Sequence, residues 1–218
     1  MVSSTEENYL KAIFKISEKE NAPASTNAIA TEMKTSAASV SDMIKRLAEK
    51  ELVSYEKWKG VTLKEGGKKI ATGLIRKHRL WEVFLVDKLN FSWDEIHPIA
   101  EELEHIKSDE LAMRLDEFLG FPKFDPHGDP IPDENGNFTF RKQVLLSEFK
   151  GQKGNIVGVD EHSTQFLQYL DRLELTLGTP IEILEKIEYD GSIRIRIKGR
   201  TEQIISNKVA QNLYIKAS

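Results

Sequence analysis

The chain has 218 residues, 39% hydrophobic and 30% charged, without a cysteine, which fits a soluble globular protein of one large or two small domains and excludes disulfides and thiolate metal sites. Its formal net charge of −4 conceals an asymmetry: residues 1–80 hold 15 Lys and Arg against 10 Asp and Glu, whereas residues 81–218 hold 16 against 25. No apolar run approaches the roughly 20 residues of a membrane span and no basic-then-apolar leader opens the chain, so a cytoplasmic protein with no membrane partner is expected.

Ser3 and Ser4, followed by Glu6 and Glu7, offer capping boxes for a first helix. Tyr9, Leu10, Ile13, Phe14 and Ile16 give it an apolar face through about Glu18. Asn21-Ala-Pro-Ala-Ser25 breaks it, and residues 26–33 read as a short second helix. Lys34-Thr-Ser36 is a turn, with Ser36 as N-cap of a third helix. Val40, Met43, Ile44 and Leu47 form that helix's core face, leaving Ser39, Asp42, Lys45 and Arg46 outward. Two β-prone runs then flank Lys57-Trp-Lys-Gly60 as a hairpin. Helix, helix, turn, helix, hairpin is the order of a winged helix-turn-helix. Its third helix enters the major groove of double-stranded DNA and its wing lies on the backbone. The small residues Ser36, Ala37, Ala38 and Ser39 permit close approach to DNA, and Lys57 and Lys59 are placed to meet phosphates.

A long helix follows from about Gly67 to Lys88. Ser92 with Glu95 caps the next, to about Lys107, and Ser108-Asp-Glu110 caps a third that ends at Gly120. Their apolar residues, among them Leu80, Trp81, Phe84, Ile99, Leu111 and Phe118, exceed what one small layer buries, which implies a homodimer interface. Phe121 to Asn137 holds four of the seven prolines and is a linker or a structured loop. Beyond it the signal is mainly strand: Asn155–Val159, Ile181–Leu184, and Ser192–Lys198 after an Asp190-Gly191 turn, with a short helix over 163–174. These strands suggest a small β-barrel. The whole is mainly α with β.

On a helix, His97, Glu101, Glu104 and His105 fall on one stripe, because residues three and four apart share a face. His78 and Glu82 repeat the i, i+4 spacing on the preceding helix. Oxygen and imidazole ligands without thiolate suit Mn²⁺, Fe²⁺, Co²⁺ or Zn²⁺. The bland reading is a solvated, salt-bridged helix face.

Four stretches together make the chain resemble the diphtheria-toxin-repressor/manganese-transport-regulator (DtxR/MntR) family over nearly its full length. They are Glu6-Glu-Asn-Tyr-Leu-Lys-Ala-Ile13, Lys77-His-Arg-Leu80, Glu104-His-Ile-Lys-Ser-Asp-Glu110 and Asp125-Pro-His-Gly-Asp-Pro-Ile-Pro132. The resemblance implies a winged-helix DNA-binding domain (1–66), a helical metal-binding and dimerisation domain (67–122), a linker loop (123–143) and a C-terminal SH3-like, FeoA-type domain (144–218). It implies a dimeric, non-enzymatic repressor that binds operator DNA when loaded with Mn²⁺ or Fe²⁺ and controls metal-uptake genes, with Zn²⁺ or Co²⁺ as substitutes. Carried over by position, one metal site uses Asn8, Glu101, Glu104 and His105, and a second uses His78, Glu82 and His97. Asp125, His127 and Asp160 match further ligand positions of the manganese-responsive branch, and His162 and Gln165 align with the iron-responsive branch. Asn8 stands where the family offers Asp or Met, and Glu101 where iron-responsive members have Cys; both departures favour Mn²⁺.

Two alternatives belong to other classes. A winged-helix regulator of an organic ligand would show an apolar pocket and no metal dependence. A metallohydrolase would need a motif such as His-x-x-Glu-His, but the first position here is Glu101.

Overall fold

A computed structural model describes residues 2–218 and divides the chain into two compact units. The first comprises the chain up to His78, with Glu101–Ala112 and Pro132–Phe138; the second comprises Arg79–Ala100, Met113–Ile131 and Thr139–Ser218.

The first unit opens with α1 (Ser4–Glu20), whose capping box is formed: the Ser3 hydroxyl accepts from the Glu6 amide, and the Glu6 carboxylate accepts from the Ser3 amide at 2.8 Å. α2 (Thr26–Glu32) and α3 (Ala37–Glu49) start at the N-caps Ser25 and Ser36. β1 (Val53–Glu56) and β2 (Gly60–Leu63) pair antiparallel as a hairpin, and Ala24 bridges Val61 beside them. Gly60 is required at that junction. Its φ is +113°, and a Cβ there would sit 2.7 Å from the Ala24 carbonyl oxygen. Leu10, Ile13, Ile29, Val40, Leu47 and Val61 form the centre of this unit's core, the arrangement that the apolar periodicity of the first 63 residues implies.

α4 (Glu65–Leu89), α5 (Ile96–Leu103) and α6 (Asp109–Phe118) follow. α5 corrects the sequence reading, which carried it to Lys107. It stops at Leu103, and Glu104 and His105 lie in the turn beyond. The cause is tertiary: Glu104 is fully buried and its carboxylate is held by Lys11 of α1 and His78 of α4. Those charge-assisted bonds replace another helical turn.

The proline-rich segment is a structured loop. The Asp125 carboxylate accepts from the amides of His127 (2.9 Å) and Asp129 (3.0 Å), and Phe124 bridges Pro130. Pro132–Phe138 belongs to the first unit: Arg76 donates to the Pro132 carbonyl at 2.7 Å, and Phe138 stacks on Phe14 of α1 with ring centroids 5.7 Å apart.

The second unit contains β3 (Val144–Leu145), β4 (Lys153–Val159), α7 (Thr164–Arg172), β5 (Pro180–Lys186), β6 (Ile193–Ile197), β7 (Thr201–Ile205), α8 (Asn207–Ala210) and β8 (Leu213–Ala217). The strands form an antiparallel six-stranded sheet in the order β3-β8-β4-β5-β6-β7. Register shifts in β4 and β5 bend it, and Ile156, Leu167, Leu170, Ile195, Leu213 and Ile215 fill its core. β3, β7, β8 and α8 carry no strong sequence signal and add to the strands expected. A smaller helical core joins Leu80, Val83, Leu115 and Ile131. Among the described residues no helix is long and apolar enough to cross a membrane.

Candidate metal centres and nucleic-acid interface

In the first unit, α1 brings Glu7, Asn8 and Lys11 to the same place as His78, Glu101, Glu104 and His105. His78 Nδ1 lies 2.6 Å from Glu104 Oε2, and Lys11 Nζ lies 2.5 Å from Glu104 Oε1 and 3.8 Å from Glu101. His105 Nδ1 is 2.7 Å from Glu7 Oε2, and its Nε2 is 3.7 Å from Glu104 Oε1. Burial pushes the Glu104 carboxyl up, but the His78 hydrogen bond and the Lys11 charge outweigh it, so the group stays ionised below the usual carboxylate range. The Asn8 side-chain oxygen is buried without a hydrogen-bond partner. A buried acceptor without a partner, next in sequence to Glu7 and three residues before Lys11 on α1, is costly as it stands and is of the kind that fits a hard cation.

Of the residues singled out from the sequence, His78, Glu104 and His105 are joined by these contacts, Glu101 is exposed and reaches them through Lys11, and Asn8 lies on the α1 segment that carries Glu7 and Lys11. The first unit adds Glu7, read from the sequence only as a capping residue, and Lys11, to which the sequence assigned no role. The signal for both was present: residues 7, 8 and 11 share one face of α1 by the three-and-four spacing.

The second unit gathers Glu82, Asp125 and His127, whose ligand atoms all lie within 4.8 Å of one another. His97 Nδ1 is 3.4 Å from Glu82 Oε1. His127 Nε2 sits 2.8 Å from the Trp93 carbonyl, which fixes the ring and aims Nδ1 at Glu82 Oε2, 3.6 Å away and beyond hydrogen-bonding distance. Burial lowers the affinity of His127 for a proton, but Glu82, Asp125 and the Trp93 carbonyl prevail and push it up to about 9. Asp125 is pushed up by burial and by the charges of Glu82 and Asp129, while Arg79 acts against this. Arg79 donates to Asp129 at 2.8 Å and lies 3.4 Å from Asp125. Two acids and an imidazole crowded in a buried site, with one imidazole nitrogen unsatisfied, again suit a divalent cation.

The remaining candidates part company. Asp160 accepts a hydrogen bond from Tyr214 at 3.0 Å and stands apart from that trio. Burial, and then the Asp160 charge, push the Tyr214 phenol up to about 12. Gln165 is exposed on α7. His162, which aligns with a position of the iron-responsive branch, is half-buried; it stacks on His127 with centroids 4.6 Å apart, and its Nε2 is buried without a partner.

α3 presents Ser36, Ala38, Ser39, Asp42, Lys45 and Arg46 to solvent. The Ser36 hydroxyl caps the Ser39 amide, and Lys45 pairs with Asp42 at 3.3 Å. At the hairpin tip Lys57 and Lys59 flank Trp58, which is 92% exposed. Lys57 Nζ stands 5.3 Å from the indole centroid, and Lys59 is tethered to Glu56. A capped helix start with small side chains, next to a cationic hairpin, has the form of a groove reader and its backbone clamp.

Comparison with known proteins agrees with both halves of this picture. Residues 1–61 match the model for the N-terminal DNA-binding domain of iron-dependent repressors, residues 64–133 that for their metal-binding and dimerisation domain, and residues 145–217 the FeoA domain. The chain is 33% identical over 217 residues to the iron-dependent repressor IdeR of Mycobacterium leprae, covering 94% of each chain. It is 34% identical to the diphtheria toxin repressor of Corynebacterium jeikeium over 128 residues, 59% of this chain and 53% of that protein. A solved manganese-dependent transcriptional repressor in complex with manganese superposes with a TM-score of 0.86 at 33% identity, over 97% of this chain and 99% of that one.

Proposed function

Because the chain belongs to the DtxR/MntR family of metal-dependent transcriptional repressors, we propose that it represses metal-uptake genes by binding operator DNA as a homodimer when charged with Mn²⁺ or Fe²⁺. The parts are a winged helix over 1–66, a helical metal-binding and dimerisation segment over 67–122, a loop over 123–143 and the FeoA-type domain over 144–218. The reading places one divalent ion in the first unit on Asn8, Glu101, Glu104 and His105, with His78 and Glu7 beside them. It places another in the second unit on Glu82, Asp125 and His127, with His97 at its edge. Transcriptional repressors of this family are not enzymes, and neither site presents the His-x-x-Glu-His motif of an inverted zinc peptidase.

The observation that carries the reading is Glu104, fully buried at the meeting of α1, α4 and the turn after α5. A divalent cation held there would add positive charge to carboxylates that Lys11 alone compensates only in part. Asn8 and Glu7 of α1 would hold it together with Glu101, Glu104 and His105. Ligation therefore ties the first helix of the DNA reader to the residues around α5. A ligand shifts such an equilibrium only by its preference for the DNA-competent form. α3 then reads the major groove through small side chains, thymine methyls and DNA shape, while Lys57 and Lys59 neutralise phosphates. Carboxylate and carboxamide oxygens at residues 101 and 8 favour Mn²⁺.

Glu104→Ala and His105→Ala should each abolish Mn²⁺-dependent binding to the protein's own upstream DNA, with circular dichroism unchanged. Wild-type stimulation in both variants would refute the site.

A further inference from the structure

We propose that Lys11 is an internal competitor of the metal: a fixed positive charge, built into the first-unit site, that sets how much divalent ion is needed to fill it. This rests on the assignment of that site above. Lys11 is 8% exposed although lysine is almost never buried unless paired. It lies in the stretch of α1 in which Tyr9, Leu10, Ala12, Ile13 and Phe14 are also buried, so the helix carries its ammonium inward at a desolvation cost. Its Nζ is 2.5 Å from Glu104 Oε1 and 3.8 Å from Glu101, two of the proposed ligands. Its carboxylate partners are Glu104 and Glu101; Glu104 in turn meets the imidazoles of His78 and His105, and His105 meets Glu7. The ammonium therefore stands among the groups that would hold the ion.

An ammonium and a divalent cation use the same carboxylate oxygens. A bound ion must either displace Lys11 from Glu104, breaking a buried charge-assisted bond, or accept a like charge a few ångströms away. Both routes weaken binding relative to a site of the same ligands without the lysine. The pairing also serves the metal-free protein, because it compensates a carboxylate that is fully buried. Lys11 thus weakens ion binding while supporting the structure that awaits the ion.

The test uses the full chain in a His127→Ala background, which removes a proposed ligand of the second-unit site. Mn²⁺ is titrated calorimetrically into Lys11, Lys11→Met and Lys11→Arg proteins, and each is melted with and without Mn²⁺. Lys11→Met keeps the length of the stem and removes the charge; Lys11→Gln replaces it if Lys11→Met fails to fold. The expected result is Mn²⁺ binding about tenfold tighter in the neutral variant, unchanged affinity in Lys11→Arg, a lower melting temperature without metal and a larger rise with it. Equal or weaker binding by a folded neutral variant, when the Lys11 protein does bind Mn²⁺, overturns the role of Lys11 alone. Absence of Mn²⁺ binding by the Lys11 protein overturns the site itself.

Discussion

Asn8 contributes an oxygen and no charge, and its side-chain oxygen is buried without a partner. Asn8→Asp should therefore raise Mn²⁺ affinity, because a carboxylate adds Coulomb attraction at the ligand position proposed for residue 8; a calorimetric titration that returns the wild-type constant would place residue 8 outside the coordination sphere. The same hard donor set implies that Mn²⁺ activates DNA binding at least as well as Fe²⁺. Zn²⁺, higher in the affinity order but content with four ligands, should bind tightly and activate poorly. Anaerobic DNA-binding titrations at buffered free ion concentrations check this, and a response to Fe²⁺ without one to Mn²⁺ would contradict it. At this scale the sequence was informative where residue types are chemically narrow. His78, His105 and Glu104 stand out because imidazoles and acids at helical spacing have few uses. Glu7 and Lys11 do not, because a Glu or Lys on a helix is usually a solvated charge; only packing shows that Lys11 points inward.

α1 is the element on which the first site depends, and its start is held by the reciprocal Ser3–Glu6 cap. Lys50 reinforces it, with Nζ 2.6 Å from Glu6, and together these hold the Glu6 carboxyl below its ordinary range. Ser3→Ala should cost about 1 kcal/mol of stability, seen as a lower melting temperature of which Mn²⁺ restores part by binding the native form. A melting temperature equal to wild type would show that the cap contributes nothing. Elements with strong periodicity were legible: α1, α3, the hairpin of β1 and β2, and β6. The end of α5 was not, because the signal for stopping at Leu103 is a partnership of Glu104 with residues distant in sequence. β3 is two residues long and β7 is mostly polar (Thr-Glu-Gln-Ile-Ile), so neither has an alternation to read. β8 becomes a strand by pairing with both β3 and β4.

For the whole molecule, two ligand sets in separate units imply at least two divalent ions per chain, and His127→Ala should remove one while leaving the other; a single ion per wild-type chain would show that one set is not a site. The DNA-binding surface makes an independent prediction. Lys57→Ala with Lys59→Ala should weaken binding to all sequences alike and make its dependence on salt shallower, since each phosphate contact releases counterions. Lost discrimination with an unchanged salt slope would mean that the hairpin reads bases. The hairpin has one further property. Of the three tryptophans, Trp58 is almost wholly in water, whereas Trp81 and Trp93 are partly buried in apolar clusters. The chain therefore carries its own optical reporter: red-shifted emission from Trp58 should shift and change in intensity as the hairpin meets a duplex, so that metal-triggered DNA docking can be followed in real time without a label.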